Sequence, residues 1–437
     1  MRLAYVCADF GVPLDGSKGA SVHLRELVRG LSDLGHEVVI LTPAAAPVPF
    51  MPSPGGTAAS LAPTPIPTLG PGASCFTVGL DPAHAGLLEA LKRAEVAIGH
   101  ETRLRQELRN LLYNVSLLET GLEILRRRPV DAVYERYTLF VTAGLGLAHA
   151  LGVPHLLEVN APLADEQERT RGLELKALAH ETERRILAGS DAVLVVSDPL
   201  ADFARSCGVP ESRVHVVPNA VDPRRFDPAR SPQALPDPLR ARLLGRRVIG
   251  FVGTLKPWHG MEILLEAFRT VHQRIPDTHL LVVGDGPGRG GLEDLVRRLG
   301  LAESVSLAGA VPHDQVPAYL AAMDVTVAPG SDEPGFYFSP IKIFEYLAMG
   351  KAVVAGRAPQ LERLLPDQVV VLIEPGRADA MAESLEHLVR DREARRRLGE
   401  AARDWVTRER TWASNARRVV EIAQALRRPA LGAAEAR

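Results

Sequence analysis

The residue types best suited to chemistry lie together in one short stretch, Ser339–Gly350, which reads S-P-I-K-I-F-E-Y-L-A-M-G. Apolar residues recur at helical spacing from Ile341 onward, so the stretch predicts a short helix that follows a polar loop and ends before a strand. The start of such a helix offers unpaired N–H groups to an anion, and Lys342 adds a full positive charge. Glu345, one turn further, can accept hydrogen bonds from two hydroxyl groups, as a ribose offers. The pattern indicates a site for phosphate and ribose, although an ordinary surface pair of Lys342 and Glu345 has the same spacing.

Two other strand-to-helix junctions combine glycine with a basic residue. The strand at 3–7 leads into D-G-S-K-G-A-S-V-H at Asp15–His23, and the strand at 248–253 leads into T-L-K-P-W-H-G at Thr254–Gly260. A glycine loop before a helix leaves backbone N–H groups free to cradle a phosphate. The first junction is not G-x-G-x-x-G, so it does not favour a dinucleotide, and it also fits a plain connection.

Polar residues follow two further predicted strands. The strand at 131–134 ends in Glu135-Arg136-Tyr137, and the strand at 154–159 ends at Asn160. In an open parallel sheet, the carboxyl ends of strands are where ligands bind. The second cluster can also serve only to cap the helix that follows it.

Length and composition limit the classes of protein to consider. A chain of 437 residues predicts two domains, and a net charge of −2 argues against a general nucleic-acid binder. Three cysteines, far apart, make neither a metal cluster nor a disulfide framework, which favours a reducing cytoplasm. No signal peptide, membrane-spanning run or Asp-x-Asp motif for a metal-bound diphosphate is evident in the sequence.

Strands alternate with helices along both halves, which predicts an α/β protein. Pro43–Gly72 is rich in Pro, Ala and Gly and predicts a surface loop, and 82–128 predicts a long helical region. That region carries Arg103, Arg105 and Arg109 among several glutamates, so it suits either a solvated face or, less well, contact with an anionic membrane surface.

Several of these stretches resemble the retaining glycosyltransferases of family four, which have the GT-B fold. The likeness is strongest in S-P-x-K-x-x-E-Y at 339–346 and in P-N-x-V-D-x-x-x-F at 218–226. Glu345 matches the second of two family glutamates, the one that holds the nucleotide ribose. The first would fall on Tyr337, which puts its usual contact with the donor sugar in doubt. A family histidine that commonly contacts the donor sugar falls on Asn160.

The resemblance implies two Rossmann-like domains with parallel sheets that face each other across an interdomain cleft. Residues 1–230 would form the acceptor-side domain, with a C-terminal helix at 410–430 packed back on it, and 237–408 the domain that binds a nucleotide sugar. The donor would be a UDP- or GDP-sugar, the reaction would need no metal or other cofactor, and the anomeric configuration would be retained.

The same resemblance assigns candidate site residues. The catalytic candidates are Lys256, Lys342 and Asn160. The candidates for donor binding are Gly16, Lys18, Gly19, Gly253, Thr254, His259, Val311, Phe338, Ser339, Pro340, Ile341 and Glu345.

Two alternatives to sugar transfer remain open from the sequence. A nucleotide-sugar epimerase of the same fold would convert its substrate without an acceptor, and a non-catalytic relative would bind the nucleotide sugar without turnover. The expected partners are a nucleotide sugar and an acceptor but no nucleic acid. The expected location is the cytoplasm, with peripheral contact at the inner membrane face left open.

Overall fold

The computed structural model describes residues 1–16, 18–43, 63–230, 235–256, 259–330 and 339–427. The chain forms two compact units. The first comprises Met1–Gly16, Ala20–Pro218 and the chain from Ala413 onward, and the second comprises Ser17–Gly19 and Asn219–Trp412.

The first unit is built on an eight-stranded sheet with the order β3-β4-β2-β1-β5-β6-β7-β8, in which only the β3–β4 pair is antiparallel. Its strands are β1 (Arg2–Cys7), β2 (Glu37–Thr42), β3 (Thr64–Pro65), β4 (Ala73–Thr77), β5 (Ala132–Arg136), β6 (His155–Val159), β7 (Ala192–Val195) and β8 (Val214–Val216). Its helices up to β8 are α1 (Gly19–Asp33), α2 (Pro82–Ile98), α3 (Leu104–Arg127), α4 (Ala143–Leu151), α5 (Leu163–Thr170), α6 (Lys176–Gly189) and α7 (Asp198–Ser206).

The second unit has a six-stranded, wholly parallel sheet with the order β11-β10-β9-β12-β13-β14. Its elements are α8 (Asp237–Leu243), β9 (Arg247–Val252), α9 (Met261–Arg274), β10 (Thr278–Val283), α10 (Arg289–Arg298), β11 (Val305–Gly309), α11 (Val316–Ala321), β12 (Val325–Ala328), α12 (Ile341–Ala348), β13 (Ala352–Gly356), α13 (Pro359–Leu364), β14 (Val371–Ile373), α14 (Ala378–Arg390) and α15 (Arg392–Glu409). The last helix, α16 (Trp412–Leu426), leads into the C-terminal part of the first unit.

Both sheets reverse their strand order at one position, and these positions define where ligands are expected. β1 pairs with β2 on one side and β5 on the other, and β9 pairs with β10 and β12 in the same way. In open α/β sheets, ligands bind beyond the carboxyl ends of the strands at such a switch point. The α/β class with two parallel-sheet units, expected from the sequence, is confirmed.

The structure departs from the sequence-based expectations in three places in the first unit, one of which is strand β3, inside the predicted loop at Pro43–Gly72. The helical region expected at 82–128 is broken after α2, because Gly99 adopts a left-handed conformation (φ 67°) that ends the helix. β4 was not expected, since five residues with a single apolar pair carry little strand signal. Of the loop predicted at Pro43–Gly72, residues 44–62 lie outside the described part of the chain.

Candidate active site

In the second unit, the loop after β9 closely approaches α12. Gly253 has φ 154°, and a side chain there would begin 2.7 Å from the Lys342 Nζ atom. Gly260, just before α9, also has a positive φ, of 65°. Both positions therefore favour glycine: the backbone at Gly253 lies against Lys342 of α12, and the backbone at Gly260 lies against Gly330.

Lys342 is the second residue of α12, and it is half-buried beside Gly253. Its Nζ atom is 4.5 Å from the centre of the Phe251 ring, over the ring face. Burial lowers the pKa of Lys342 to about 7, and the Glu345 carboxylate opposes that shift. The free protein thus holds a lysine whose charge is poorly compensated, and a bound anion would stabilise that charge.

Glu345 is only 5% exposed, and its orientation is set by a residue that the sequence analysis did not single out. Nε2 of His313 donates to Oε1 of Glu345 over 2.6 Å. His313 lies in the loop after β11, which also holds the predicted donor-binding residue Val311. The only sequence signal for this role was its place beyond a strand end.

The two sequence signatures of the second unit contact each other directly. The backbone N–H of Asn219 donates to Ser339 Oγ over 2.9 Å, and Asn219 Nδ2 donates to the Ser339 carbonyl over 2.5 Å. The Tyr346 hydroxyl bonds to the backbone N and O of Val252, at 2.7 and 3.0 Å. These contacts hold both ends of the 339–346 motif, so Asn219 and Tyr346 position the loop and helix without needing to touch a ligand.

His259 is a neutral group at physiological pH. Its Nδ1 atom hydrogen-bonds the Thr254 carbonyl, and burial lowers its pKa to about 3, helped by the charges of Lys342 and Lys256. Of the predicted basic groups here, the half-buried Lys256 and Lys342 therefore supply the positive charge.

The other predicted donor-binding residues of the second unit lie at the start of α12 or beyond β11. Pro340 and Ile341 are half-buried at the start of α12, and Val311 is half-buried beyond β11. Phe338, together with Tyr337, lies outside the described residues.

In the first unit, the carboxyl edge of the sheet is organised by Glu158, which is 2% exposed. Its Oε2 accepts from His23 Nε2 at 2.8 Å and from the Tyr134 hydroxyl at 2.5 Å. Its Oε1 accepts from Arg136 at 2.5 Å and from the Asn160 amide. Burial alone would raise the pKa of Glu158, but the charge and hydrogen bond of His23, followed by Arg136 and Tyr134, lower it well below its usual value.

This arrangement determines which atom of Asn160 is available for a further hydrogen bond. Because its Nδ2 group donates to the Glu158 carboxylate, its Oδ1 atom is left to accept a hydrogen bond. The sequence analysis placed Asn160 at this edge but did not identify Glu158. The mostly apolar strand L-L-E-V around it does not indicate a buried carboxylate.

The loop before α1 is stabilised by hydrogen bonds from Arg25, which lies on α1. Arg25 donates to the carbonyls of Leu14 and Gly16 at 2.7 and 2.6 Å, and a side chain on Gly16 would begin 2.5 Å from Ser21 Oγ. Lys18 and Gly19 are exposed. Gly16 and Gly19 thus lie between β1 and α1, at the strand-to-helix junction predicted from the sequence.

Two kinds of feature are absent from the described residues. No group of three or more His, Cys, Asp or Glu side chains there is placed to hold a metal ion. None of the helices in that part of the chain is both long and apolar enough to cross a membrane.

Comparison with protein families identifies two matching models. Residues 17–225 match the model described as Glycosyltransferase Family 4, and residues 240–405 match the model described as Glycosyl transferases group 1.

The chain is also similar in sequence to characterised glycosyltransferases and in fold to solved structures. The chain is 28% identical over 306 residues to the GDP-mannose-dependent alpha-(1-6)-phosphatidylinositol monomannoside mannosyltransferase of Mycobacterium tuberculosis, covering 68% of this chain and 78% of that protein. It is 28% identical to the alpha-D-kanosaminyltransferase of Streptomyces kanamyceticus, over 59% of this chain and 66% of the other. Sucrose-phosphate synthase from Thermosynechococcus elongatus has the same fold, with a TM-score of 0.71 at 18% identity, covering 97% of this chain and 98% of that one. HepE of Anabaena, in complex with UDP-glucose, matches with a TM-score of 0.64 at 17% identity over 98% of this chain and all of the other.

Proposed function

Since the chain belongs to glycosyltransferase family 4 and has the GT-B fold, we propose that it transfers a sugar from a nucleotide-diphosphate donor to an acceptor with retention of anomeric configuration. The observation that carries the proposal is the meeting of Lys342, the Gly253 backbone and Glu345 at the switch point of the second sheet. Relatives named for GDP-mannose and solved structures holding UDP or UDP-glucose support a nucleotide sugar as donor.

The donor would be bound through its diphosphate and through its ribose. The diphosphate would lie against Lys342, Lys256 and the N–H groups at the start of α12. Glu345, held by His313 through Oε1, would use its remaining acceptor capacity for the ribose hydroxyls. Lys342 and Glu345 come from one helix, and their spacing suits a phosphate and the ribose next to it.

Catalysis would depend on the leaving group. When the anomeric C–O bond breaks, negative charge grows on the diphosphate and positive charge on the sugar. Fixed cations and backbone N–H groups stabilise that charge most in the transition state, so no metal is required in this proposal. The acceptor hydroxyl would attack from the face that the diphosphate leaves, and a phosphate oxygen would take its proton, which retains the configuration.

Calorimetric titration with UDP and GDP tests the donor site directly. One of the two should bind the wild-type protein, and Glu345→Ala should weaken that binding by roughly 1–3 kcal/mol, as expected for hydrogen bonds to a charged group. Glu383→Ala, at an exposed site on α14, is the matched control and should leave the affinity unchanged. Equal affinity of Glu345→Ala and wild type would refute the ribose assignment. Release of free nucleotide that depends on an added acceptor separates transfer from epimerisation.

A further inference from the structure

Arg109, on α3 in the first unit, is a half-buried cation at the carboxyl edge of the sheet. Its guanidinium lies over the ring of Phe10, with the Cζ atom 4.1 Å from the ring centre. Phe10 follows β1, the strand at which the order of the sheet reverses. The guanidinium is therefore located where an α/β sheet is expected to bind a ligand.

The hydrogen-bonding capacity of Arg109 is largely unused. Its one hydrogen bond to a described residue is a long contact of 3.4 Å from NH2 to Oδ1 of Asn110. The Nε atom is buried and has no hydrogen-bond partner among the described residues. No carboxylate of the described residues lies within ion-pair distance of it.

The neighbouring charges do not compensate Arg109. Burial lowers its pKa below the ordinary value; Asp9 opposes this and the charge of Arg105 adds to it. The Asp9 carboxylate accepts from the backbone N–H of Gly11 at 2.7 Å. A half-buried guanidinium without a bonded anion is costly to maintain, and protein folds usually pair such a group.

Arg105 lies one helical turn before Arg109, and its hydrogen-bonding capacity is also largely unfilled. Its Nε is also buried without a hydrogen bond to any described residue, and its ion pair with Glu95 is long, at 3.6 Å. The helix thus presents two arginines one turn apart on the same side. This arrangement was not expected from the sequence, in which these arginines suited a solvated face or a membrane surface.

Arg136 provides a contrast within the same edge of the sheet. It lies at the end of β5, paired with the end of β1, and its charge is matched by Glu158 at 2.5 Å. Glu158 also holds Asn160 at the end of β6. Along this edge of the sheet, Asn160 and Arg136 both contact Glu158, whereas the charge of Arg109 has no such partner among the described residues.

From this geometry we propose that the first unit binds an acceptor that carries an oxyanion group, a phosphate or a carboxylate, and that Arg109, assisted by Arg105, is its ligand. The inference rests on the proposed function, because it names the chemical class of the acceptor. A guanidinium fixed on an aromatic ring presents its N–H edge in a defined plane, which suits two parallel hydrogen bonds to an oxyanion.

Titration with inorganic phosphate tests the site without a known acceptor. The protein is first saturated with UDP or GDP, so that the site in the second unit is filled, and phosphate is then added against sodium chloride of equal ionic strength. Calorimetry should show one phosphate bound. Arg109→Met keeps an unbranched stem on Phe10 but removes the charge, and it should weaken phosphate binding roughly tenfold or more. Arg93→Met, at an exposed position on α2, is the control and should bind phosphate as the wild type does.

Two further arms identify the source of the oxyanion. Glycerol 3-phosphate represents a soluble phosphorylated acceptor, and vesicles of phosphatidylglycerol, compared with phosphatidylcholine, represent a lipid-borne phosphate. Acetate represents a carboxylate. Whichever probe fits should lose affinity in Arg109→Met and partly in Arg105→Met.

The outcomes distinguish this inference from the proposed function. If neither phosphate nor acetate binds the wild type, or if the binding is unchanged in Arg109→Met, the oxyanion site is overturned even if the nucleotide binds normally. Failure of both nucleotides to bind overturns the donor assignment instead. The comparison of Arg109→Met with Arg93→Met still decides the phosphate site in that case, when made in a Lys342→Ala background. Circular dichroism and a thermal melt establish that each variant is folded.

Discussion

Nε2 of His313 lies 2.6 Å from Oε1 of Glu345, and the two residues come from different elements of the second unit, the loop after β11 and helix α12. Both side chains are largely buried, at 12% and 7% exposure. A short, charge-assisted hydrogen bond in such a setting restricts the rotamer of the carboxylate. His313 is thereby a positioning residue for the group that we propose to hold the ribose.

His313→Asn should weaken nucleotide diphosphate binding by about 1–2 kcal/mol, because Glu345 would lose the bond that orients it. The loss should shrink to within error for a 2′,3′-dideoxynucleotide, which offers no hydroxyl to Glu345. Calorimetry with both nucleotides measures this difference, and His387→Asn on the surface of α14 is the control. An equal loss with both nucleotides would mean that His313 only supports the fold.

Lys342→Met should make the free protein more stable while it weakens donor binding. Burial lowers the pKa of Lys342 to about 7, so at neutral pH its protonated form is disfavoured by the fold. One pKa unit corresponds to about 1.36 kcal/mol, and we expect a gain of at least about 1 kcal/mol in the free energy of unfolding at pH 7. Chemical denaturation with and without a nucleotide sugar measures both effects. Lys92→Met, at an exposed site, should change neither, and a destabilised Lys342→Met would contradict the prediction.

The same pKa gives a pH dependence with a definite sign. A bound diphosphate favours the charged lysine and raises its pKa, so binding of a nucleotide sugar takes up a proton above pH 7. Affinity should be flat below pH 7 and fall as pH rises from 7 to 9. In Lys342→Arg the fall should disappear, since arginine keeps its charge throughout. Titrations in buffers of different ionisation enthalpy count the proton directly.

Lys256→Ala and Lys342→Ala should each lower turnover more than they weaken donor binding. The charge on the diphosphate grows as the glycosidic bond stretches, so a fixed cation contributes most in the transition state. The expected loss in kcat is on the order of 10²-fold, as for removal of one oxyanion donor. Steady-state kinetics and donor affinities, with Lys92→Ala as control, separate the two effects. Wild-type turnover in both variants would locate the leaving-group site elsewhere, and Lys18 would become the candidate.

Glu158→Gln should destabilise the first unit strongly. The carboxylate accepts from four donors, and its loss leaves Arg136 buried at the sheet edge without a counter-charge. We expect the free energy of unfolding to fall by about 3 kcal/mol at pH 7. Since the folded pKa of Glu158 lies below its ordinary value, its stabilisation is present above about pH 4.5 and is lost on acidification, so the variant should also lose less stability in acid. Glu123→Gln, which breaks an exposed pair with Arg127, should cost less than about 1 kcal/mol.

Turnover should persist in excess chelator, because the proposed mechanism stabilises the leaving group with lysines and backbone N–H groups. The measurement compares rates after dialysis against EDTA with rates after magnesium or manganese is restored. A loss of activity that either metal reverses would contradict the metal-independent mechanism. A modest increase on adding metal to an already active enzyme would not.

The sequence alone determined the two-unit α/β organisation and the place of the 339–346 motif at a strand-to-helix junction. These features are local: apolar periodicity defines each strand and helix, and glycine before a helix marks a loop, so a reader of the chain can locate them. The resemblance to a known family was likewise carried by short contiguous motifs. The comparisons confirm that family.

Only the tertiary structure decided which side chains meet. Glu158 gathers His23, Tyr134 and Arg136 from α1 and β5, and His313 reaches Glu345 across 32 positions of sequence. Arg109 lies over Phe10 and has no ion-pair partner among the described residues, and no pattern in its own helix indicates either feature. Such pairings depend on strand order, on register and on how helices pack over the sheet, and these are set by contacts between elements far apart in the chain rather than by any local periodicity.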